Sequence, residues 1–177
     1  MSILSNFVSE GIGAVNTSGF QVAEKELAGR EDLIQPMLVR DGDTLSLELI
    51  CELLEDEIRY QGIPTVVEYG TLRTGGLFNH DTERIIVLTN IDHPRDYLRH
   101  LIRFRMTGNR LAEIKVYSFG FSRMYEKREK MGSCPSLLDR VTGALRQVEI
   151  KAQEEESYYS ALAMCIQDVY DRIIIPD

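Results

Sequence analysis

From Leu138 to Ile173 the apolar side chains recur at alternating steps of three and four: Leu138, Val141, Leu145, Val148, Ala152, then Tyr159, Leu162, Ile166, Val169 and Ile173. Glu155 is the one charged residue in the series. An α-helix places such positions on a single seam, so the pattern predicts one long helix over about residues 136–173, roughly 50 Å end to end at about 1.5 Å per residue. Pro135 and Ser136 supply helix-start chemistry. A helix of that length must lie along the chain's own sheet or along a second copy. Leu145, Val148, Tyr159, Leu162, Ile166 and Val169 are therefore candidates for a dimer seam, with Ala152 and Glu155 marking a kink or a close approach in its middle.

A second helical pattern precedes it. Leu47, Ile50, Cys51, Leu54 and Ile58 fall on one face, while Glu48, Glu52, Glu55, Asp56 and Arg59 fall elsewhere. Asp43, Thr44 or Ser46 can cap this helix, and Gly62 and Pro64 end it. The period then changes. Thr65 to Tyr69, Thr71 to Arg73 and Arg84 to Thr89 are rich in β-branched and aromatic residues, with turn residues at Gly75-Gly76 and Asn79-His80-Asp81, which predicts two or three antiparallel strands. Asp92 can cap a further helix with Pro94 in its first turn and Leu98, Leu101, Ile102 and Met106 on its apolar side; Gly108 would end it. Leu111 to Phe121 reads as a strand with a bulge at Ser118 to Gly120.

The first 43 residues carry Gly11, Gly13, Gly19 and Gly29 among short apolar runs and read as a loosely ordered arm or short helix, leaving 44–177 as a single domain. The order helix, strands, helix, strand, long helix implies an α+β fold. The expected sheet is mixed or antiparallel, of about four strands, with an arginine-rich helix inserted between strands.

Charge is informative only when divided. Twenty Lys and Arg against 28 Asp and Glu give −8, which disfavours bulk attraction to nucleic acid or anionic lipid. Yet Arg95 to Lys130 holds ten bases and four acids, a local +6, leaving −14 for the remainder. Within this segment Arg95, Arg99 and Arg103 would line one stripe of the expected helix, and with Arg105 and Arg110 they are candidates for holding an anionic or protein partner. The competing expectation is that acids at Glu48, Glu52, Glu55 and Asp56, or at Glu154 to Glu156, neutralise the stripe.

Other constellations are weaker. His93, Asp96 and His100 would share a face of the same helix, and His80 on the preceding turn could approach it, a donor set suited to a divalent ion. Glu113 and Lys115 point to one side of a strand, the spacing of a magnesium-dependent nuclease, but the second acid such a site requires has no place in the pattern. Cys134 and Arg140 match a phosphatase spacing without the glycines of a phosphate cradle, and three cysteines make neither a disulfide framework nor a cysteine zinc site. No cofactor motif is present.

There is no apolar run of about 18 residues to span a membrane and no basic residue ahead of the first apolar stretch to suggest a secretory signal, so a cytoplasmic location without membrane contact is expected. The leading functional expectation is a non-enzymatic binding or adaptor module, homodimeric through its last helix, that engages a protein partner through the arginine segment and the strand from Leu111 to Phe121. Two alternatives stand beside it: a metal- or phosphate-dependent enzyme centred on His80, His93, His100 and Glu113, and a nucleic-acid binder using residues 95–130.

Overall fold

A computed structural model describes residues 17–27, 34–40, 42–75, 81–122, 126–127, 129–130 and 144–174. Six strands, β1 (Thr17–Ala23), β2 (Met37–Arg40), β3 (Thr65–Thr74), β4 (Asp81–Asn90), β5 (Arg99–Met106) and β6 (Leu111–Phe119), form one sheet in the order β1-β3-β4-β5-β6-β2. The β1–β3 pair is parallel and the other four pairs are antiparallel. Two helices, α1 (Leu47–Gln61) and α2 (Ala144–Ile174), pack on each other and on one face of that sheet.

The fold class is the expected α+β, but the sheet has six strands rather than four, and no helix is inserted between β4 and β5. Residues 99–106 form a strand instead. The expected helix start is a single tight turn, in which the Asn90 side chain accepts from the His93 amide (2.7 Å) and the Tyr97 amide bonds the His93 carbonyl (3.1 Å). β1 and β2, which close the two edges, come from the segment expected to be an arm.

Helix α1 forms for the reasons its sequence suggests. The Ser46 hydroxyl accepts from the Leu49 amide (3.1 Å), Gly62 adopts φ of 68° at the carboxy-terminal cap, and Leu47, Ile50, Cys51, Leu54 and Ile58 are all buried. Helix α2 runs without interruption through Glu155. Its seam turns inward: Tyr159, Leu162, Ile166 and Val169 join α1 and the rows Ile86-Leu88, Ile102 and Ile114-Val116 in one core, and Val148 and Ala152 are also buried. An ion pair between Arg172 and the buried Glu57 ties the end of α2 to α1.

Neither α1 nor α2 covers the opposite face. A smaller cluster lies there, made of Val22, Leu27, Leu72, Ile85, Val87, Leu101 and Tyr117, with Phe20 and Phe119 against it. Gly70 is required where β1 crosses β3, because a Cβ there would lie 2.7 Å from a Val87 methyl and 3.1 Å from the Phe20 ring. Gly42 answers the same need beyond β2: its amide bonds the Arg110 carbonyl (3.1 Å), and a Cβ would stand 2.6 Å from that of Ala112.

Candidate functional site

The arginines singled out in the sequence do share a surface, but a strand assembles it. Side chains two apart on a strand point the same way, so Arg99, Leu101, Arg103 and Arg105 face the helix-free side while His100, Ile102 and Phe104 face the helices. β6 lies alongside, with Arg99 opposite Phe119, Leu101 opposite Tyr117, Arg103 opposite Lys115 and Arg105 opposite Glu113. The two segments expected to form an interaction surface are thus neighbours in one sheet. Arg95 sits exposed on the β4–β5 turn and Arg110 exposed on the β5–β6 turn, at opposite ends of that surface.

Each arginine has a different setting. Arg103 is buried and grips Glu83 with a fork, Nε to Oε2 at 2.7 Å and Nη2 to Oε1 at 2.9 Å, while Nη1 donates to Glu24 Oε1 at 2.9 Å. This hydrogen bonding holds the Glu83 carboxyl below the usual carboxylate range and the guanidinium above its own, despite the opposing effect of burial. The neutralising acids are therefore Glu83 and Glu24, rather than the α1 or α2 acids that the sequence suggested. Arg99 lies 5.1 Å from the centre of the Phe20 ring. Arg105 is exposed and forms no ion pair among the described residues, and the same holds for Arg40 on β2, which the register Leu38–Glu113 and Arg40–Leu111 brings to the same face. Leu38 beside it is 60% exposed, and no described strand pairs with the outer edge of β2.

The nuclease-like pair Glu113 and Lys115 also lies on this face, joined as a salt bridge of 3.2 Å. His93 is exposed on the turn with its ring stacked on Tyr97 (4.5 Å between centroids), Asp96 is half-buried, and His100 is fully buried in the core. A helix would have given His93 and His100 one face; the turn and strand give them different environments. Among the described residues no group of three or more His, Cys, Asp or Glu side chains is arranged to hold a metal ion. His80, Cys134 and Arg140 lie outside the described residues, as does the Leu145 side chain. Of the remaining seam residues, Tyr159, Leu162, Ile166 and Val169 are buried against α1 and the sheet of their own chain and Val148 is also buried, so the seam carries no argument for a dimer.

One polar cluster escaped the sequence reading. Under the first half of α2, Tyr97, Tyr158 and Tyr159 meet ring to ring at 5.5 to 5.9 Å, and His100 stands edge-on to Tyr159 at 5.3 Å. The Tyr159 hydroxyl donates to the buried Glu155 and accepts from the Leu98 amide (2.7 Å), and Tyr158 and Thr65 share a hydrogen bond of 2.9 Å. Glu155 Oε2 is buried with no hydrogen bond to any described residue. Beside the cluster, a cavity of about 160 Å³ is lined by His93, Asp96, Tyr97, Lys151 and Glu154. The available signal was the charged residue in an apolar seam; only the fold shows that this residue turns inward without interrupting the helix.

Comparison with protein-family models, with curated proteins and with solved structures finds no match to this chain, so its own geometry alone informs its function. No helix among the described residues is long and apolar enough to cross a membrane.

Proposed function

We propose that this protein is a non-enzymatic binding module that docks an extended acidic segment of a partner protein along the outer edge of β2. The observation that carries this reading is the open edge of β2 with Leu38 and Arg40 exposed, and with Arg105 on the same face two strands inward, both arginines lacking an ion pair among the described residues. An unpaired sheet edge offers backbone donors and acceptors to an incoming strand. A segment alternating apolar and acidic residues fits on both sides: its apolar residues extend the buried row of Met37 and Val39, and its acids lie beside Arg40, with Arg105 adding positive charge farther in on the same face. Nucleic acid suits the surface less well. Two of its basic groups, Arg103 and Lys115, are already paired with Glu83 and Glu113, and a polyphosphate would meet those acids within a molecule of net charge −8.

The test is an anisotropy titration of the full chain with a labelled alternating valine–glutamate peptide, and with single-stranded DNA of equal length. The peptide should saturate and weaken with added salt, the DNA should not compete, and the R40E/R105E variant should bind at least about tenfold more weakly. Both positions are exposed, so circular dichroism of the variant should be unchanged. A variant that binds like the parent, or DNA that displaces the peptide, refutes the reading.

A further inference from the structure

We propose that a cavity on the face of the sheet away from α1 and α2 is a second binding site, for a short dipolar molecule with a carboxylate at one end and an ammonium group at the other. It lies across β1, β3, β4 and β5, at the side of the sheet farthest from the β2 edge. Its volume, about 580 Å³, falls within the range of roughly 300–1,000 Å³ of small-molecule clefts. Strand register builds the floor: Val66 stands opposite Thr89 and Glu68 opposite Val87, which puts all four side chains on one side of the sheet. The Phe20 ring forms a wall. Its place is fixed by the absent Cβ of Gly70, which would lie 3.1 Å away, and by Phe119, which meets it edge-on at 5.7 Å.

Two opposite charges share this cavity without pairing. Arg99 is half-buried, with its guanidinium 5.1 Å from the centre of the Phe20 ring, and Glu68 is exposed; neither forms a hydrogen bond or an ion pair among the described residues. Strand order keeps them apart, because β4 separates β3 from β5 and two strand spacings of about 4.8 Å put their backbones roughly 10 Å apart. Arg103, on the same side of the same strand, places its fork on Glu83 and a further donor on Glu24. At Arg99 the ring contact instead positions the guanidinium while leaving its N–H donors for a carboxylate. A ligand with one charge satisfies one of the two groups and is repelled by the other, whereas a dipolar ligand satisfies both. A chain of about four methylene groups spans what the two side chains leave of the strand separation, and it rests on Val66 and Val87.

The experiment is a nitrogen-15 NMR titration of the full chain with δ-aminovalerate, set against sodium valerate and n-pentylammonium chloride at matched ionic strength. The dipolar probe should give saturable shifts, with a millimolar dissociation constant, at the amides of Phe20, Val66, Glu68, Thr89 and Arg99, and each single-charge probe should bind at least about fivefold more weakly. Arg99→Met keeps an unbranched stem against Phe20 and should weaken δ-aminovalerate about tenfold without weakening n-pentylammonium. Glu68→Gln should weaken δ-aminovalerate about threefold and tighten valerate. Neither side chain bonds to a described residue, so both variants retain the fold and the amide spectrum away from the cavity. A single-charge probe binding as tightly as δ-aminovalerate, no saturable shift at these amides, or Glu68→Gln leaving valerate affinity unchanged would each overturn the proposal.

Discussion

The two faces of the sheet solve the burial of β5 in opposite ways. Toward the helices, the strand sends His100, Ile102 and Phe104 into a core roofed by α1 and α2. Toward the other side, it sends Arg99, Leu101, Arg103 and Arg105, where Leu101 is buried almost as fully as Ile102 although neither α1 nor α2 lies over it. There the cover includes Leu27 from the turn after β1, and the buried Arg103 is held by Glu83 and Glu24. A strand buried on both faces loses the alternation that advertises it.

The largest expected effects test whether both faces are packed interiors. Leu162→Ala, on the roofed side, and Leu101→Ala, on the other, should each cost about 3 kcal/mol in urea denaturation, because each removes a fully buried side chain. A loss below about 0.5 kcal/mol for Leu101→Ala, the size of an ordinary surface change, would mean that the second face is not an interior. Next comes the ion pair. Arg103→Met leaves Glu83 without its fork and should cost about 2 kcal/mol, with R103M/E83M recovering part of that loss. Since Glu83 is held below the usual carboxylate range, its contribution is present above that range and fades as pH falls through its lowered folded value. Stability of Arg103→Met, followed by denaturation between neutral and acid pH, should accordingly fall less steeply than that of the parent.

Smaller effects separate satisfied from unsatisfied polar groups under the helices. Tyr159→Phe removes bonds to Glu155 and the Leu98 amide and should cost about 1–2 kcal/mol, whereas Tyr170→Phe should be neutral or stabilising by up to about 1 kcal/mol, since the Tyr170 hydroxyl is buried with no bond to a described residue. Equal losses in thermal unfolding would contradict this distinction. Least visible is thiol chemistry. Burial raises the Cys51 thiol and pushes Cys165 up to about 11, so peptide mapping after alkylation of the native protein at pH 8 should find both unmodified. Rapid labelling of either would place it nearer solvent than its core position allows.

How much of this the sequence disclosed depended on whether its spacing was unambiguous. The steps of three and four in α1 and α2 fit only a helix, and every predicted core position of α1 is buried. Arg95, Arg99 and Arg103 are four apart. That interval keeps residues on one face of a helix, but it is also even, so it keeps residues on one side of a strand. The apolar residues between them could not decide, because β5 buries both its faces. β1 and β2 were missed for another reason: they are short, β1 contains Gly19, and their partners are remote in sequence, Thr71 for Gln21 and Glu113 for Leu38. For the candidate surface, the two segments named from the sequence prove to be neighbouring strands, while Arg40, Leu38 and the Glu83 partner emerged only from strand order.

The proposed docking edge is tested most directly by hydrogen–deuterium exchange of the full chain with and without a saturating alternating valine–glutamate peptide. New protection should be confined to Met37–Arg40, where the added strand takes up the free backbone groups of β2. Protection appearing instead along α2, or no added protection at the β2 edge under saturating peptide, would contradict the account.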